Sequence, residues 1–387
     1  MSLLRYAERA REVKGAAGAD GMDAIWFGSG DAYPEGLPDM GDVAQLAASR
    51  FRTETLQYAP RPGLPELREW IAAYLATEGV TVRPEQVAVV NGAKHGLDLV
   101  CKLFLDPGDT VVVTTPTYMS ALGIFRGWQA RYLEIGQDAD GMLVDDLAER
   151  LAALEHTGGA IPKLVYDVPE FHNPTGVTLS AARRRALVAL AARYGMLVVE
   201  DDPYRRIRFE GAPVTPMAGL DAVRVIGLGT FAKLVAPGLR IGWVTAPSEI
   251  VEKMTALKSD GGTCPLTQRI ILEYCRAGRL EPHIVEVAKL YAGHRDVMLA
   301  ALARDLPAAQ WNTPSGGYYV WARLPDGMSG DRLAEAAARR GVKVLPASQF
   351  YATQGPANHI RLAFSYASPA EIIEGVQRLG EAFREIS

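Results

Sequence analysis

The chain has 387 residues, of which 48% are hydrophobic and 22% charged, and its formal net charge at pH 7 is -4. This composition is typical of a globular protein and excludes a largely disordered one. A slightly acidic chain without a basic cluster has neither the electrostatic footprint of a nucleic-acid-binding protein nor a polybasic membrane patch. The length is sufficient for two or three domains.

The three cysteines, Cys101, Cys264 and Cys275, lack the spacing of metal ligands. We therefore expect reduced thiols, no metal site and a cytoplasmic location. The first residues, MSLLRYAERAREVKG, have the pattern of an amphipathic helix rather than of a signal peptide. No apolar run reaches the length that a bilayer requires, so we expect no membrane partner.

Apolar strands and helical segments alternate from about residue 84 onwards. Strands are predicted over VAVV (87–90), TVVVT (110–114), ARYLEI (130–135), KLVYDV (163–168), MLVVE (196–200) and VRVIG (223–227). A helix is predicted after each of the first four strands. Continuous apolar strands that alternate with helices predict an α/β fold with a mainly parallel sheet sandwiched by helices.

The last third of the chain has a different pattern, with long helices first and then a mixture of short strands and helices. This change predicts a smaller α+β unit at the C-terminus. We divide the chain into an N-terminal arm (1–45), a large domain (46–284) and a small C-terminal domain (285–387). We expect the arm to pack with the small domain.

Polar residues follow five of the predicted strands at the point where each strand ends. They are Ala93-Lys94, Tyr118, Asn173, Asp201 and Lys233. In open parallel sheets, ligands bind beyond the carboxyl ends of the strands. We therefore expect these five loops to build one site at a single edge of the sheet.

Lys233 lies in the segment GLGTFAKLVAPGLRIGW, among small and apolar residues. Poor solvation lowers the pKa of an amine and makes it nucleophilic. Arg240 follows Lys233 by seven residues, after the turn Ala236-Pro237-Gly238, and its planar fork suits a phosphate. The pair indicates a Schiff-base lysine beside a phosphate anchor, as pyridoxal phosphate requires. Taken alone, the segment also fits a surface lysine before a turn.

Other residues match the remaining requirements of this cofactor. Gly92–Lys94 at a helix start would offer backbone N–H groups to the phosphate, and Thr230 could add a hydroxyl. The ring nitrogen needs a carboxylate, which Asp201 or Asp202 could supply. Donors to the ring oxygen (Asn173 and Tyr204) and an aromatic partner for the ring face (Tyr118) are also present.

Several motifs carry a resemblance to a known family: FHNPTG (171–176), EDDPY (200–204), APGLRIGW (236–243), SGGYYVW (315–321) and HIRLAFSYASPAEIIEGVQRLG (359–380). With them, the chain resembles fold-type I pyridoxal-phosphate enzymes of the aminotransferase class I/II family over almost its whole length. It is most similar to the branch of α-aminoadipate, kynurenine and aromatic aminotransferases and of MocR effector domains. The resemblance implies an aspartate-aminotransferase-like fold and pyridoxal 5′-phosphate as cofactor.

The resemblance also implies roles for individual residues. Lys233 would form the internal aldimine and then shuttle a proton, Asp201 rather than Asp202 would pair with the ring nitrogen, and Tyr204 and Asn173 would hold the ring oxygen. The other implied roles are ring stacking by Tyr118, phosphate binding by Ala93, Lys94, Thr230 and Arg240, phosphate binding across a subunit interface by Tyr58, and recognition of the substrate α-carboxylate by Arg361 with Gly30 and Asn173. The role of Tyr58 implies a homodimer with shared active sites.

The chain departs from the family pattern at three places near this site. Ala232 precedes the lysine where Ser is common, Ala93-Lys94 occupies positions where small hydroxyl or Gln residues are usual, and His172 replaces a frequent Gln. Residues 29–33 and 258–262 are candidate contacts for the substrate side chain. They mix aromatic, acidic and basic groups and so leave the substrate open.

The main hypothesis is an aminotransferase that moves an amino group from an L-amino acid to a 2-oxo acid. The alternative is another reaction on the same cofactor, such as elimination, replacement, cyclisation, oxidation or racemisation in specialised metabolism. A third hypothesis, a non-enzymatic sensor, requires a DNA-binding domain, for which residues 1–45 are too short and not basic enough.

Overall fold

The computed structural model describes residues 24–386. The helix predicted over the first residues, and with it most of the first half of the predicted arm, lies outside the described residues. The first strand, β1 (Ile25–Trp26), is followed by the helices Gly41–Ser49 and Arg52–Thr55. A single turn of 3-10 helix, Pro34–Gly36, lies between β1 and the first of these helices.

The largest sheet has eight strands and is mainly parallel, as the alternation of strands and helices predicts. Its strands are β2 (Val87–Val90), β3 (Thr110–Thr115), β4 (Arg131–Asp138), β5 (Gly141–Met142), β6 (Leu164–Asp167), β7 (Leu197–Asp201), β8 (Val225–Thr230) and β9 (Gly242–Thr245). Their order is β2-β9-β8-β7-β6-β3-β4-β5. The run from β8 to β4 is parallel, whereas β9 is antiparallel to both of its neighbours.

Helices cover both faces of this sheet. They are Pro65–Thr77, Ala93–Phe104, Met119–Gly127, Val144–Thr157, Ala181–Tyr194, Met217–Leu220, Ser248–Ala256 and Pro265–Arg276. The strand β3 illustrates why its sequence is continuously apolar: Val111 and Val113 belong to one hydrophobic cluster, and Val112 belongs to another. Because alternate side chains of a strand point to opposite faces, both faces need apolar residues.

The C-terminal part is built on the long helix Leu280–Asp305. Its strands are β10 (Gln310–Trp311), β11 (Tyr319–Arg323), β12 (Val342–Lys343), β13 (Leu345–Pro346) and β14 (His359–Ala363), and its other helices are Gly330–Arg339 and Pro369–Ile386. Strands β10, β11, β14 and β13 form a small antiparallel sheet. No helix between residues 24 and 386 is long and apolar enough to cross a membrane.

The strand β12 pairs in parallel with β1, so the N-terminal segment joins the C-terminal part through backbone hydrogen bonds. The neighbouring strand β13 pairs instead with β14. The apolar pattern of VKVLPAS (342–348) predicts one strand, but the structure has two short strands with different partners in this segment. The boundary predicted at residue 285 falls inside the helix Leu280–Asp305, and the division of the chain into domains stays a prediction.

Candidate active site

A cavity of about 320 Å³ lies at the carboxyl ends of the parallel strands β6, β7 and β8. The predicted site residues that line it are Gly30, Ala93, Lys94, Tyr118, Asn173, Asp201, Tyr204, Thr230, Lys233, Arg240 and Arg361. The sheet thus brings together residues that are up to 331 positions apart in the sequence. Tyr58 is the exception, because its side chain is 89% exposed and does not line this cavity.

Lys233 reaches the cavity from the loop after β8. The strand continues to Thr230, three residues further than the sequence predicted, so this loop is short. The Nζ atom of Lys233 donates a hydrogen bond of 2.5 Å to the carbonyl oxygen of Gly30 and lies 5.2 Å from the centroid of the Tyr318 ring. Desolvation lowers the pKa of Lys233 to about 8, although Asp31 opposes the shift. An amine with this pKa is partly neutral at neutral to mildly alkaline pH.

Asp201 is the last residue of β7 and is buried. Its Oδ2 accepts a hydrogen bond of 2.7 Å from the hydroxyl of Tyr166. Its Oδ1 is buried and has no hydrogen-bond partner within residues 24–386. Burial raises the pKa of Asp201 to about 6, whereas the bond from Tyr166 acts in the opposite direction. A free carboxylate oxygen at the wall of a cavity is suited to accept a hydrogen bond from a protonated ring nitrogen.

Arg361, on β14, has a buried guanidinium at another wall of the cavity. It donates to Asn173 Oδ1 at 2.9 Å and to the carbonyl oxygen of Gly28 at 2.5 Å. Its Nε has no hydrogen-bond partner within the part of the chain that the structure describes. The ring of Tyr319 lies 4.2 Å below the guanidinium carbon. This cation is therefore held in place and retains capacity to bind an anion.

Tyr204 and Tyr319 contact each other in the wall of the cavity. Their hydroxyl groups are 3.1 Å apart and both side chains are buried. A Cβ atom on Gly30 would come within 2.1 Å of the Tyr319 hydroxyl oxygen, so this position admits only glycine without a rearrangement. The absence of a side chain at Gly30 also lets its carbonyl approach Lys233.

The opposite end of the cavity is suited to an anion. The helix Ala93–Phe104 begins here after Gly92, whose φ of +83° favours glycine. The first N–H groups of a helix have no partner inside the helix and carry the positive end of its dipole. Arg240 lies beside them and donates to the carbonyl oxygen of Asn91 at 3.1 Å. Thr230 lines the same cavity, and its hydroxyl donates to the carbonyl oxygen of Ile241 at 3.3 Å.

Two residues of the site lie outside the predictions from the sequence. Tyr166 belongs to a predicted apolar strand, and Tyr319 belongs to the motif SGGYYVW, in which no role is predicted for it. Their positions depend on pairings between distant segments. For Tyr166, which lies one residue before the end of β6, the register of β6 against β7 would be the needed signal.

The candidate substrate contacts at residues 258–262 are only partly suited to that role. Lys258 is buried, and its Nζ donates to the carbonyl oxygens of Arg61 at 2.9 Å and Val89 at 3.0 Å. Asp260 accepts a hydrogen bond of 2.8 Å from Asn91. These residues do not line the cavity, whereas Ser29 and Asp31 do. Through Val89 and Asn91, the segment therefore supports the backbone that leads to the anion-binding end of the cavity.

Pyridoxal phosphate fits the residues of this cavity. The free Asp201 Oδ1 matches the ring nitrogen, the helix start and Arg240 match the phosphate, and the amine of Lys233 matches the aldehyde. Tyr118 and Tyr204 also line the cavity and would contact the remaining atoms of the cofactor.

Comparisons with known proteins agree with this fit. The family model "Aminotransferase class I and II" matches residues 23–379. Aromatic-amino-acid aminotransferase 1 of Thermococcus litoralis is 36% identical over 370 residues, which are 94% of this chain and 88% of the relative.

Two solved structures are similar as well. Pyrococcus horikoshii kynurenine aminotransferase, in complex with PMP, has a TM-score of 0.92 at 35% identity and covers 98% of this chain and 97% of its own. Thermus thermophilus alpha-aminoadipate aminotransferase, complexed with N-(5'-phosphopyridoxyl)-L-leucine, has a TM-score of 0.88 at 32% identity, with 94% and 93% covered. The chain therefore belongs to the aminotransferase class I and II family and is an aminotransferase with pyridoxal 5′-phosphate as its cofactor.

Proposed function

We propose that Lys233 anchors the cofactor and then moves the α-proton of an L-amino acid whose amino group passes to a 2-oxo acid. The observation that carries this proposal is the convergence of three groups in one cavity: an amine with a lowered pKa, a free carboxylate oxygen on Asp201 and an anion-binding helix start beside Arg240. These groups match the aldehyde, the ring nitrogen and the phosphate of one small molecule.

When bound, the cofactor withdraws electrons from the substrate α-carbon. Asp201 would keep the ring nitrogen protonated through Oδ1. Lys233, once it is no longer bound to the cofactor, would take the proton from the α-carbon and deliver it to the cofactor side. The remaining residues would hold the cofactor: Tyr118 on the ring face, Asn173 and Tyr204 at the ring oxygen, and Ala93, Lys94, Thr230 and Arg240 at the phosphate.

The substrate would bind through its α-carboxylate to Arg361, assisted by Asn173 and Gly30. A buried guanidinium whose Nε has no partner among the described residues supports this assignment, because a carboxylate can accept from it in a planar, bidentate arrangement. Similar proteins are named for aromatic amino acids, alpha-aminoadipate and kynurenine. We therefore choose these compounds as the first amino donors to test.

The direct test of the reaction is incubation with each amino acid and 2-oxoglutarate. We expect glutamate to appear in a one-to-one ratio with a new 2-oxo acid. Release of ammonia or a changed amino acid without glutamate would instead support the alternative chemistries. Lys233→Ala should abolish turnover, since it removes both the anchor and the base. Lys253→Ala is the matched control, because that lysine is exposed and 3.7 Å from Glu249.

We also propose a cytoplasmic homodimer in which Tyr58 binds the phosphate in the neighbouring subunit. The ring is 89% exposed and is near Gly261, whose Cβ position would lie 3.6 Å from it. An aromatic side chain that does not line the cavity of its own subunit and is so exposed supports a role in a second copy of the chain.

Hybrid dimers test this arrangement. In a mixture of inactive Lys233→Ala and Tyr58→Ala enzymes, each hybrid dimer has one intact site if Tyr58 serves its neighbour. Random mixing then restores about a quarter of the normal activity, because about half of the dimers are hybrids. If Tyr58 serves its own subunit, both sites of each hybrid are defective and mixing restores nothing.

A further inference from the structure

We propose that Tyr166 is a positioning residue for the cofactor ring nitrogen: its hydroxyl holds one oxygen of Asp201 so that the other oxygen stays free for the ring N–H. The inference rests on the role proposed above for Asp201. It assigns a function to a side chain on the neighbouring strand that does not line the cavity and would act on the cofactor through this carboxylate.

The register of the sheet creates the contact. Strands β6 and β7 are parallel, and Tyr166 is paired with Val199. Asp201 lies two residues after Val199 and therefore on the same face of the sheet. The phenol is long enough to cover this distance along the strand, and its hydroxyl lies 2.7 Å from Asp201 Oδ2.

The tyrosine is fixed and can act only as a donor to the carboxylate. Its side chain is fully buried, and the ring of Phe125 packs against it at 5.4 Å and 75°. Burial raises the pKa of Tyr166 well above its usual value, so the hydroxyl keeps its proton. A phenol has one hydrogen to donate, and here it is directed to Oδ2. The orientation of the carboxylate is thereby set, with Oδ1 left without a partner within residues 24–386.

Loss of this hydroxyl would affect the ring nitrogen in two ways. Asp201 would lose the bond that fixes its orientation, so Oδ1 would be less well aimed. Its carboxylate would also become more basic, because the bond from Tyr166 lowers the pKa of Asp201. A more basic carboxylate competes with the ring nitrogen for the shared proton and so reduces the cationic character of the ring.

The variant Tyr166→Phe tests the inference with little change in shape. The dissociation constant of pyridoxal phosphate is measured by equilibrium dialysis of the full-length enzyme. We expect it to increase about tenfold to hundredfold, the range found when a group that orients a ligand-binding side chain is removed. Tyr132→Phe is the matched control. That hydroxyl donates to the carbonyl oxygen of Leu122 at 3.0 Å, and its ring also packs near Phe125, so the constant should stay within about twofold.

A cofactor analogue with carbon in place of the ring nitrogen separates positioning from a structural role. We expect Tyr166→Phe to weaken binding of the natural cofactor but not of this analogue, and to add no further loss in the Asp201→Asn background. Equal weakening of both ligands would mean general damage to the site and would overturn the inference.

The same measurements distinguish the inference from the assignment on which it rests. If Asp201→Asn weakens binding of the natural cofactor but Tyr166→Phe leaves it unchanged, Tyr166 has no positioning role and the inference fails alone. If Asp201→Asn also has no effect, the proposed role of Asp201 fails with it. Thermal unfolding of each variant establishes that the proteins compared are folded.

Discussion

Two adjacent residues at the end of β7, Glu200 and Asp201, are both buried carboxylates with different surroundings. Glu200 accepts hydrogen bonds from the backbone N–H groups of Met217 at 2.8 Å and Ala218 at 2.9 Å, and Arg205 lies 3.8 Å away. Among the described residues 24–386, Asp201 accepts one hydrogen bond, from Tyr166, and keeps a free oxygen. Because successive side chains of a strand face opposite sides, one carboxylate enters an ionic cluster with Arg205 and the other faces the candidate active site.

The difference separates charges that support the fold from charges that await a ligand. The cluster around Glu200 also contains Glu170, which is 2.9 Å from Arg184 and 2.7 Å from Arg208. Each carboxylate of this cluster accepts hydrogen bonds from N–H donors of the protein, so removal of one charge leaves other buried charges without a partner. The free oxygen of Asp201 has no such partner in residues 24–386. Its desolvation is uncompensated until a cation binds.

The largest expected effect on stability follows from breaking this ionic cluster. Glu200→Ala should lower the free energy of unfolding by about 3 to 5 kcal/mol, because it leaves the buried backbone N–H groups of Met217 and Ala218 without an acceptor and Arg205 with one anion fewer. Urea denaturation with and without cofactor measures this change. A loss below about 1 kcal/mol, the range of exposed ion pairs, would contradict the assignment of Glu200 to the structural cluster.

The neighbouring substitution should have the opposite sign. The pKa of Asp201 is raised from 3.8 to about 6, so the stabilising contribution of this group is present below pH 3.8 and is lost as the pH rises through 6. At pH 8 the charged form costs about 3 kcal/mol, from 1.36 kcal/mol per pKa unit. Asp201→Asn should therefore stabilise the cofactor-free enzyme by up to about that amount, and the gain should vanish near pH 4. Urea denaturation at both pH values measures the difference, and destabilisation at pH 8 would refute the comparison.

Arg361 allows a smaller test at the substrate end of the cavity. Arg361→Lys should raise KM for amino acids about tenfold to hundredfold, because the ammonium cannot form two parallel bonds to a carboxylate. Steady-state kinetics measure the change. The control is Arg323→Lys, on β11 of the same sheet, where the side chain is half exposed and paired with Asp326 at 2.7 Å. An equal effect of both substitutions would argue against a specific role for Arg361.

The smallest expected effect concerns the pH dependence of cofactor uptake. The neutral amine of Lys233 reacts with the aldehyde, so the uptake rate of the cofactor-free enzyme should rise with pH, with a midpoint near the lowered pKa of about 8, and then level off. Lys94 contributes to the lowered pKa of Lys233, and Asp31 opposes it. Lys94→Gln should therefore shift the midpoint upwards and Asp31→Asn downwards, as followed by stopped-flow absorbance. Shifts in the same direction would contradict the electrostatic account.

The sequence predicts much of this arrangement because strand periodicity and loop position are local properties. The run TVVVT and the alternation around it are sufficient to place β3 in a doubly covered parallel sheet. A parallel sheet then requires the residues after its strands, such as Asn173, Asp201 and Lys233, to meet at one edge. Eleven predicted residues line the same cavity, at the carboxyl ends of β6, β7 and β8.

The remaining features depend on contacts between distant segments. The strand β12 pairs with β1 and β13 with β14, which no local pattern in VKVLPAS specifies. Tyr166 has the apolar surroundings of a core residue, and only the register between β6 and β7 brings it to Asp201. The role of Tyr58 depends on a second copy of the chain and stays a prediction.

The most direct test of the account is the identity of the residue that carries the cofactor. Reduction of the full-length enzyme with borohydride, in the presence of pyridoxal phosphate, makes the lysine linkage stable, and peptide mass spectrometry then locates it. We predict a single phosphopyridoxyl group on Lys233, and none after its replacement by Ala. A stoichiometric label on Lys94, which lines the same cavity, or on the buried Lys258 would contradict the account.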